Sequence, residues 1–480
     1  MKILFLIFTP ILGLASRSQQ VAEKLTTFFF ARRFRSLDRR QPVVRADSGN
    51  ERPHRPRFAP LRRLLRPLVF LGVFGPGLIA ANAGNDAGAV VTYSSDGAQY
   101  GYALLWMLVL VTISLCVVQE MCARLGAATG DGLAGLIRER FGVRGAVFAM
   151  FTQLVADALI IISEFAGIAA ASQLFGIPIY LTVPVAAVGI WLVVTRSSSE
   201  RVEKIFLLMT LPFFAYPIAT VLGHPDWGAV ARQTLVPSFH LTSAYLLLFV
   251  GTVGTTVTPY MQFYIQSSVA EKGAGMKHYA RERADAYLGA IFADLIAACM
   301  IIATGATIFV ASGGAGVPIS DARQAAMALV PFLGQYAIPL FALGLLGASL
   351  LAAAVLPIST TYAFCESFGF ERGVARSVRE APVFYSLFTG LLALGVLVAL
   401  IPGLSLVEVI LFAQVINGIL LPILLVFILR LVNDRRLMGR YTNSRLQNVV
   451  AWGTMLLLSA LSLILLASIF LPLVGVRFLS

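Results

Sequence analysis

Apolar runs, each near the ~20 residues that a helix needs to cross a bilayer, recur from about residue 68 onward, with polar connections between them. Eleven spans are predicted, near 68–95, 102–121, 145–172, 177–196, 204–222, 241–268, 284–311, 331–366, 383–400, 405–430 and 448–473. The runs are too long and too evenly apolar for strands, so the chain is expected to be an all-α polytopic membrane protein.

The connections sort by charge. Basic residues cluster in alternate ones: Arg124, Arg138, Arg140 and Arg144; Arg196, Arg201 and Lys204; Lys272, Lys277, Arg281 and Arg283. Arg372, Arg376 and Arg379 continue the alternation, as do Arg430, Arg435, Arg436, Arg440 and Arg445. The intervening connections, such as 175–178 and 402–405, are short and nearly uncharged. Lys and Arg in short loops stay on the cytoplasmic side, which puts the N-terminus inside and, with eleven spans, the C-terminus outside. A plasma (inner) membrane location is expected.

Two spans are interrupted in their middles. The first carries Gly84-Asn85-Asp86-Ala87-Gly88-Ala89, and the sixth, five spans later, carries Gly251-Thr252-Val253-Gly254-Thr255-Thr256-Val257-Thr258-Pro259-Tyr260. Broken backbone at bilayer depth is tolerated only where it lines protein or water. Breaks at corresponding positions of two halves point to a transporter's binding site.

Composition agrees: 58% of the 480 residues are hydrophobic and 13% charged, against about 25% charged in soluble domains. Most of the formal net charge of +13 sits before Pro67. That basic arm, 1–67, reads as a disordered cytoplasmic segment near anionic headgroups, and no nucleic-acid motif accompanies it. Its first sixteen residues imitate a signal peptide, but cleavage there would export the arginines. An upstream start or a peripheral apolar segment is the expectation. Cys116, Cys122, Cys299 and Cys365 form no CxxC pair and read as small buried residues.

Asp86 is the centre of the candidate chemistry. A charge at this depth costs about 2.5–3.5 kcal/mol on insertion scales. Beside unwound carbonyls it makes an oxygen-rich pocket for a cation, and a helix cap is the structural alternative. Pro259 deprives the Thr255 carbonyl of its donor four residues on, and Thr258 offers a hydroxyl; an ordinary Pro kink is the alternative. Asp157 and Glu164 share one face of span three, either lining an ion or proton route or, for Asp157, serving as a structural acid. Asp294 is equally open. Gln414 and Asn417, one turn apart in span ten, either complete a coordination shell or join helices by hydrogen bonds. No enzyme motif is present: His54, His224, His240 and His278 fall in the arm or loops, and HExxH, GxSxG and a Walker lysine loop are absent.

From about Phe74 onward the chain resembles the NRAMP family of divalent metal transporters. The likeness is carried by GPGLIAANAGNDAGA, GAQYGYALLW, QEMCARLGAATG, SEFAGIAAASQLFGIP and VNDRRLMG. It implies a LeuT-like fold with two inverted five-helix repeats, about 68–222 and 241–430, and an eleventh helix at about 448–473. Together with the residue reading it gives an expected metal site of Asp86, Gly88, Ala89, Thr255, Thr258 and Gln414, with Glu164, Asp157 and Asn417 as candidates for an ion or proton route.

The departures from the family pattern concern selectivity. Its Asp-Pro-Gly-Asn is Asp86-Ala87-Gly88-Ala89 here, and its Met-Pro-His is Thr258-Pro259-Tyr260. The family's second histidine falls at Ile265 and its proton-route aspartate at Ile161. Losing a thioether shifts a site from soft transition ions toward Mg²⁺, which keeps several waters. The pattern is similar to NRAMP-related magnesium transporters. Alternating-access uptake of Mg²⁺, with Mn²⁺ a further substrate and weak proton coupling, is therefore expected, with no cofactor. The alternatives are a proton-coupled Mn²⁺ or Fe²⁺ importer and a non-transporting membrane sensor. Partners are the divalent ion and the lipid bilayer, with a homo-oligomer left open.

Overall fold

A computed structural model describes residues 84–196, 215–240, 242–273, 275–327, 329–374 and 376–471. The basic arm, the first half of span one, the start of span five and the Arg201–Lys204 connection lie outside the described residues. The described residues are helical and contain no strand. The helices that matter for the site are α1 (Ala87–Tyr100), α2 (Leu105–Thr129), α3 (Leu133–Leu174) and α4 (Ile179–Arg196). They are followed by α5 (Ala215–Leu222), α6 (Trp227–Leu235), α7 (Ser243–Thr256), α8 (Pro259–Glu271) and α9 (Tyr279–Thr304). The second half closes with α10 (Ala337–Phe368), α11 (Pro382–Ala399), α12 (Leu406–Val432) and α13 (Arg445–Phe470). Nine helical stretches among the described residues are long and apolar enough to span a membrane, counting α7 and α8 as one.

Enclosure differs sharply between them. Over an apolar window of 18 residues, 89% of the α7–α8 positions are buried within the protein and only 17% of the α4 positions. The broken helix is thus the innermost, while α4 turns Tyr180, Leu181, Val185 and Val188 outward, where lipid can cover them. A non-helical backbone needs this enclosure, because lipid supplies no donors or acceptors.

The breaks fall where the sequence reading puts them. Asn85 and Asp86 are non-helical before α1, and Val257 and Thr258 separate α7 from α8. Pro259 occupies the first position of α8, where its missing N–H costs nothing.

Two boundaries differ from expectation. The span ending near 95 continues as α1 to Tyr100. The charged stretch before span three is not a loop but the first turns of α3, bent at Gly142 with φ +70°. In that segment Leu133, Ala134, Leu136 and Ile137 are buried while Arg138, Glu139 and Arg140 face out, an amphipathic pattern masked by its charge content. Arg140 pairs with Asp434 at 2.6 Å, and Arg138 donates to the Ser367 carbonyl at 2.6 Å.

Close backbone approach holds the centre together. A Cβ on Gly254 of α7 would overlap the Gln414 carbonyl and lie 2.5 Å from the Gly418 nitrogen of α12. A Cβ on Gly418 would meet the Val250 carbonyl. On the other side, a Cβ on Gly167 of α3 would lie 2.5 Å from the Ala87 Cβ and overlap Ser349 of α10. Small residues here bring α7 onto α12, and α3 onto the start of α1, as is usual where membrane helices touch.

Candidate metal site

Asp86 caps α1. Its Oδ1 accepts the Ala89 N–H at 2.8 Å, and its carbonyl accepts from Val90 at 3.0 Å. Its Oδ2, on a fully buried residue, has no hydrogen-bond donor. Cap and ligand are therefore compatible roles: one oxygen orients the carboxylate and the other is spare. Ala89 supplies its N–H and a buried methyl, with no side-chain oxygen.

The facing break is similarly unsatisfied. The Thr255 and Thr258 hydroxyls are buried without partners. Thr258 precedes α8 without capping it. The Thr255 carbonyl lies in the last turn of α7, four residues before Pro259, which has no N–H to give it. The C-terminal end of a half-helix carries partial negative charge and suits a cation.

Gln414 and Asn417, one turn apart on α12, differ in their hydrogen bonding. Asn417 Nδ2 donates to the Gly254 carbonyl at 2.7 Å and so ties α12 to α7, though its Oδ1 stays unpartnered. Gln414 keeps both amide atoms unpartnered and fully buried. A Cβ on Gly88 would overlap the Gln414 amide and stand 3.0 Å from Asp86 Oδ1. Gln414 thus reaches the Asp86 turn of α1 while its backbone presses on Gly254, joining the two breaks.

The acids of α3 separate in the same way. Glu164 Oε2 accepts the Ala87 N–H at 3.2 Å, and its carboxyl is the neighbour of the Asp86 carboxyl. Asp157 Oδ2 collects Gln153 at 2.6 Å and Thr360 at 2.5 Å, a bridge from α3 to α10 two turns away. Asp294 leaves Oδ2 unpartnered, and the adjacent Ala293 carbonyl accepts from Asn85 at 3.4 Å. Among the described residues no three of His, Cys, Asp or Glu cluster to hold a metal. The donors at the breaks are instead two carboxyls surrounded by neutral hydroxyl, amide and carbonyl oxygens.

The sequence reading missed three participants. Tyr93 OH meets Thr256 Oγ1 at 2.8 Å, Thr252 donates to Asp96 at 2.6 Å, and the Tyr260 hydroxyl is buried and unpartnered. The signal for the first two was a run of polar residues, Thr92-Tyr93-Ser94-Ser95-Asp96, at the end of a span. All five are buried.

The fold is shared with proteins of known structure. The fold matches the crystal structure of the Eremococcus coleocola manganese transporter, with a TM-score of 0.66 and 22% identity over 86% of this chain and 90% of that one. It also matches MhsT in complex with L-phenylalanine, with a TM-score of 0.51 and 17% identity over 82% and 98% of the two chains. The architecture is accordingly LeuT-like, with inverted five-helix repeats, a broken first helix in each, and α13 appended. In sequence, the divalent metal cation transporter MntH of Pectobacterium carotovorum is 29% identical over 389 residues, 78% of this chain and 89% of that protein. The family model described as natural resistance-associated macrophage protein-like matches residues 77–468, most of the chain, and the chain belongs to that Nramp family.

Proposed function

We propose that this protein is a divalent metal transporter whose preferred substrate is Mg²⁺, with Mn²⁺ also carried. The observation that supports this reading is the donor set at the two breaks. Asp86 Oδ2, the Thr255 and Thr258 hydroxyls and the Gln414 amide are buried and unpartnered, and all but the amide nitrogen are hard oxygen donors. Such groups are costly unless something binds them. Hard oxygens with room for retained water suit Mg²⁺, whereas a thioether or imidazole would favour softer ions.

In this reading Asp86 supplies the charge, the Thr255 carbonyl and Thr258 hydroxyl line the facing half-helix, and Gln414 closes the shell between them. Gly88 and Ala89 make the close turn at which the ion passes. Glu164 adds a second carboxyl at the margin and steadies the first turn of α1. Proton coupling is weak, since the histidines of the family pattern are Tyr260 and Ile265 here. The membrane potential supplies about 4.6 kcal/mol per 100 mV for a divalent ion moving inward.

A second reading is a proton-coupled Mn²⁺ or Fe²⁺ importer. It is favoured by the relatives' names, a manganese transporter and an MntH, and by one thioether near the break. Met261 Sδ would lie 3.6 Å from a Cβ on Gly84. That sulfur already accepts a long hydrogen bond from Gln119 at 3.8 Å, which gives it a packing role without a metal.

Isothermal titration with Mg²⁺ and Mn²⁺ tests the site: Asp86→Ala should lose binding of both. Unchanged Mg²⁺ binding in that variant would refute the assignment. Proteoliposome uptake of Mg²⁺, Mn²⁺ and Ca²⁺ with internal pH followed tests the transport reading. Mg²⁺ uptake without acidification is expected, and metal-dependent acidification would favour the second reading.

A further inference from the structure

Ten residues beyond Asp86, about 15 Å along α1, a second carboxylate is buried between the same helices. Asp96 is fully buried. Its Oδ2 accepts from Thr252 of α7, and its Oδ1 has no partner. The hydroxyls of Thr92, Ser94 and Ser95 are buried without partners too. Thr92 and Asp96, one turn apart, share a face of α1. A Cβ on Gly251 of α7 would lie 3.9 Å from Thr92 Cγ2 and 3.5 Å from Val415 Cγ2 of α12. So α1, α7 and α12, which build the central site, also enclose this one.

Joining helices does not require a charge here. The Thr252 bond needs one acceptor oxygen, which an asparagine or serine would provide without the cost of an intramembrane carboxylate. Asp157 also leaves its Oδ1 unpartnered, but its Oδ2 takes two donors and ties α3 to α10, whereas Asp96 holds a single donor. The spare oxygen of Asp96 and its unpartnered hydroxyl neighbours are what a hydrated divalent cation would use.

We propose that Asp96, with the Thr92 hydroxyl, forms a second station for the divalent cation between the central site and the Tyr100 end of α1. The arginine-rich connections lie at the far end of α2, so this station faces the side from which substrate enters. The Thr252–Asp96 and Tyr93–Thr256 bonds close it here, and separation of α1 from α7 opens it. The inference rests on the reading that the chain moves a divalent cation.

The test is Mn²⁺ uptake into sidedness-sorted proteoliposomes, with Mn²⁺ supplied to the Tyr100 side and KM separated from maximal rate. Asp96→Asn keeps the acceptor for Thr252 and removes the charge. It should raise KM about tenfold through lost capture, with maximal rate and calorimetric Mn²⁺ affinity of the solubilised protein within twofold of wild type. Thr252→Val removes the hydrogen bond and keeps the charge, so it should retain the wild-type KM. An unchanged KM in Asp96→Asn, or an equal rise in Thr252→Val, overturns the proposal. Asp96→Ser replaces Asp96→Asn if the amide prevents folding; should neither fold, the carboxylate is structural and the proposal fails. Failure of the central assignment reads out separately, as Asp86→Ala protein that still binds and carries Mn²⁺.

Discussion

Two buried polar clusters, one at the helix breaks and one at the start of α13, use similar residues to opposite ends. At the second, Glu120 of α2 accepts from the Tyr279 hydroxyl and from Gln447 at 2.8 Å, and pairs with Arg124 at 3.3 Å. Arg124 donates onward to the Thr442 carbonyl at 3.3 Å and to Asn443. Asn443 and Asn433 both donate to Asn448, so α2, α9, α12 and α13 are bound together. At the breaks, Asp86, Thr255, Thr258 and Gln414 keep atoms without a hydrogen-bond partner, and the carboxyl beside that of Asp86 is a second acid, Glu164. A network whose lone pairs are used rigidifies a fold, whereas one left open is a strained polar pocket awaiting an occupant. Burial alone does not separate the two clusters, since Glu120 and Asp86 are both almost wholly enclosed. Saturation separates them.

The strongest way to break this comparison is to neutralise one acid in each cluster. Asp86→Asn keeps a capping oxygen for the Ala89 N–H and removes a poorly compensated charge. Uptake should fall to the protein-free background while thermal unfolding in detergent stays level or moves up. Glu120→Gln should do the reverse, leaving Arg124 buried without its counter-charge at a cost of about 3 kcal/mol. Folded Glu120→Gln protein should still carry metal with the wild-type KM. Equal losses of stability in the two variants would show that the clusters do not differ in kind.

Next in size is Gly254→Ala. Its methyl would collide with the Gln414 carbonyl and lie 2.9 Å from the Gly418 Cα, where backbone has no rotamer to yield. Prising α7 from α12 should cost about 1–3 kcal/mol and weaken metal binding, because Gln414 moves with its helix. Calorimetry and thermal unfolding read the two effects separately, and binding that survives a large stability loss would detach Gln414 from the site. A smaller effect is expected from Thr258→Met, which adds a thioether. The ratio of Mg²⁺ to Mn²⁺ dissociation constants should rise about tenfold, or about 1.4 kcal/mol. An unchanged ratio would mean that Thr258 does not face the ion.

Much of this contrast can be read along the chain, for a physical reason. Breaks are written locally, in Gly84, Asp86, Gly254 and Pro259, residues whose backbone demands are strong enough to survive any packing. The partners of those breaks are not. Whether Gln414 or Asn417 joins the helices depends on side-chain reach and a rotation of α12 that hydropathy leaves undetermined. Glu164 reads as an acid on an ion or proton route from its depth in span three, yet its placement beside Ala87 follows from the close approach at Gly167. Asp96 escapes notice because hydropathy falls over Ser94–Gln99, which looks like the end of a span. Protein, not lipid, encloses that stretch, so its polarity is tolerated. The helix beginning at Leu133 was obscured for a related reason, its charged face outweighing its buried one in a simple count.

The finest test of the comparison lies on α7 itself, between two glycines three residues apart. At Gly254 a methyl meets backbone; at Gly251 it would meet only side-chain methyls, Val415 Cγ2 at 3.5 Å and Thr92 Cγ2 at 3.9 Å. Those separations are ordinary van der Waals contact. Gly251→Ala should therefore express the helix propensity of alanine, a gain of up to about 0.8–1.0 kcal/mol, lessened by small adjustments of Thr92. Thermal unfolding should be equal to wild type or slightly higher, with Mn²⁺ affinity unchanged. A loss comparable to that of Gly254→Ala would mean that tightness is uniform along α7. The close crossing at Gln414 would then no longer mark out the central site.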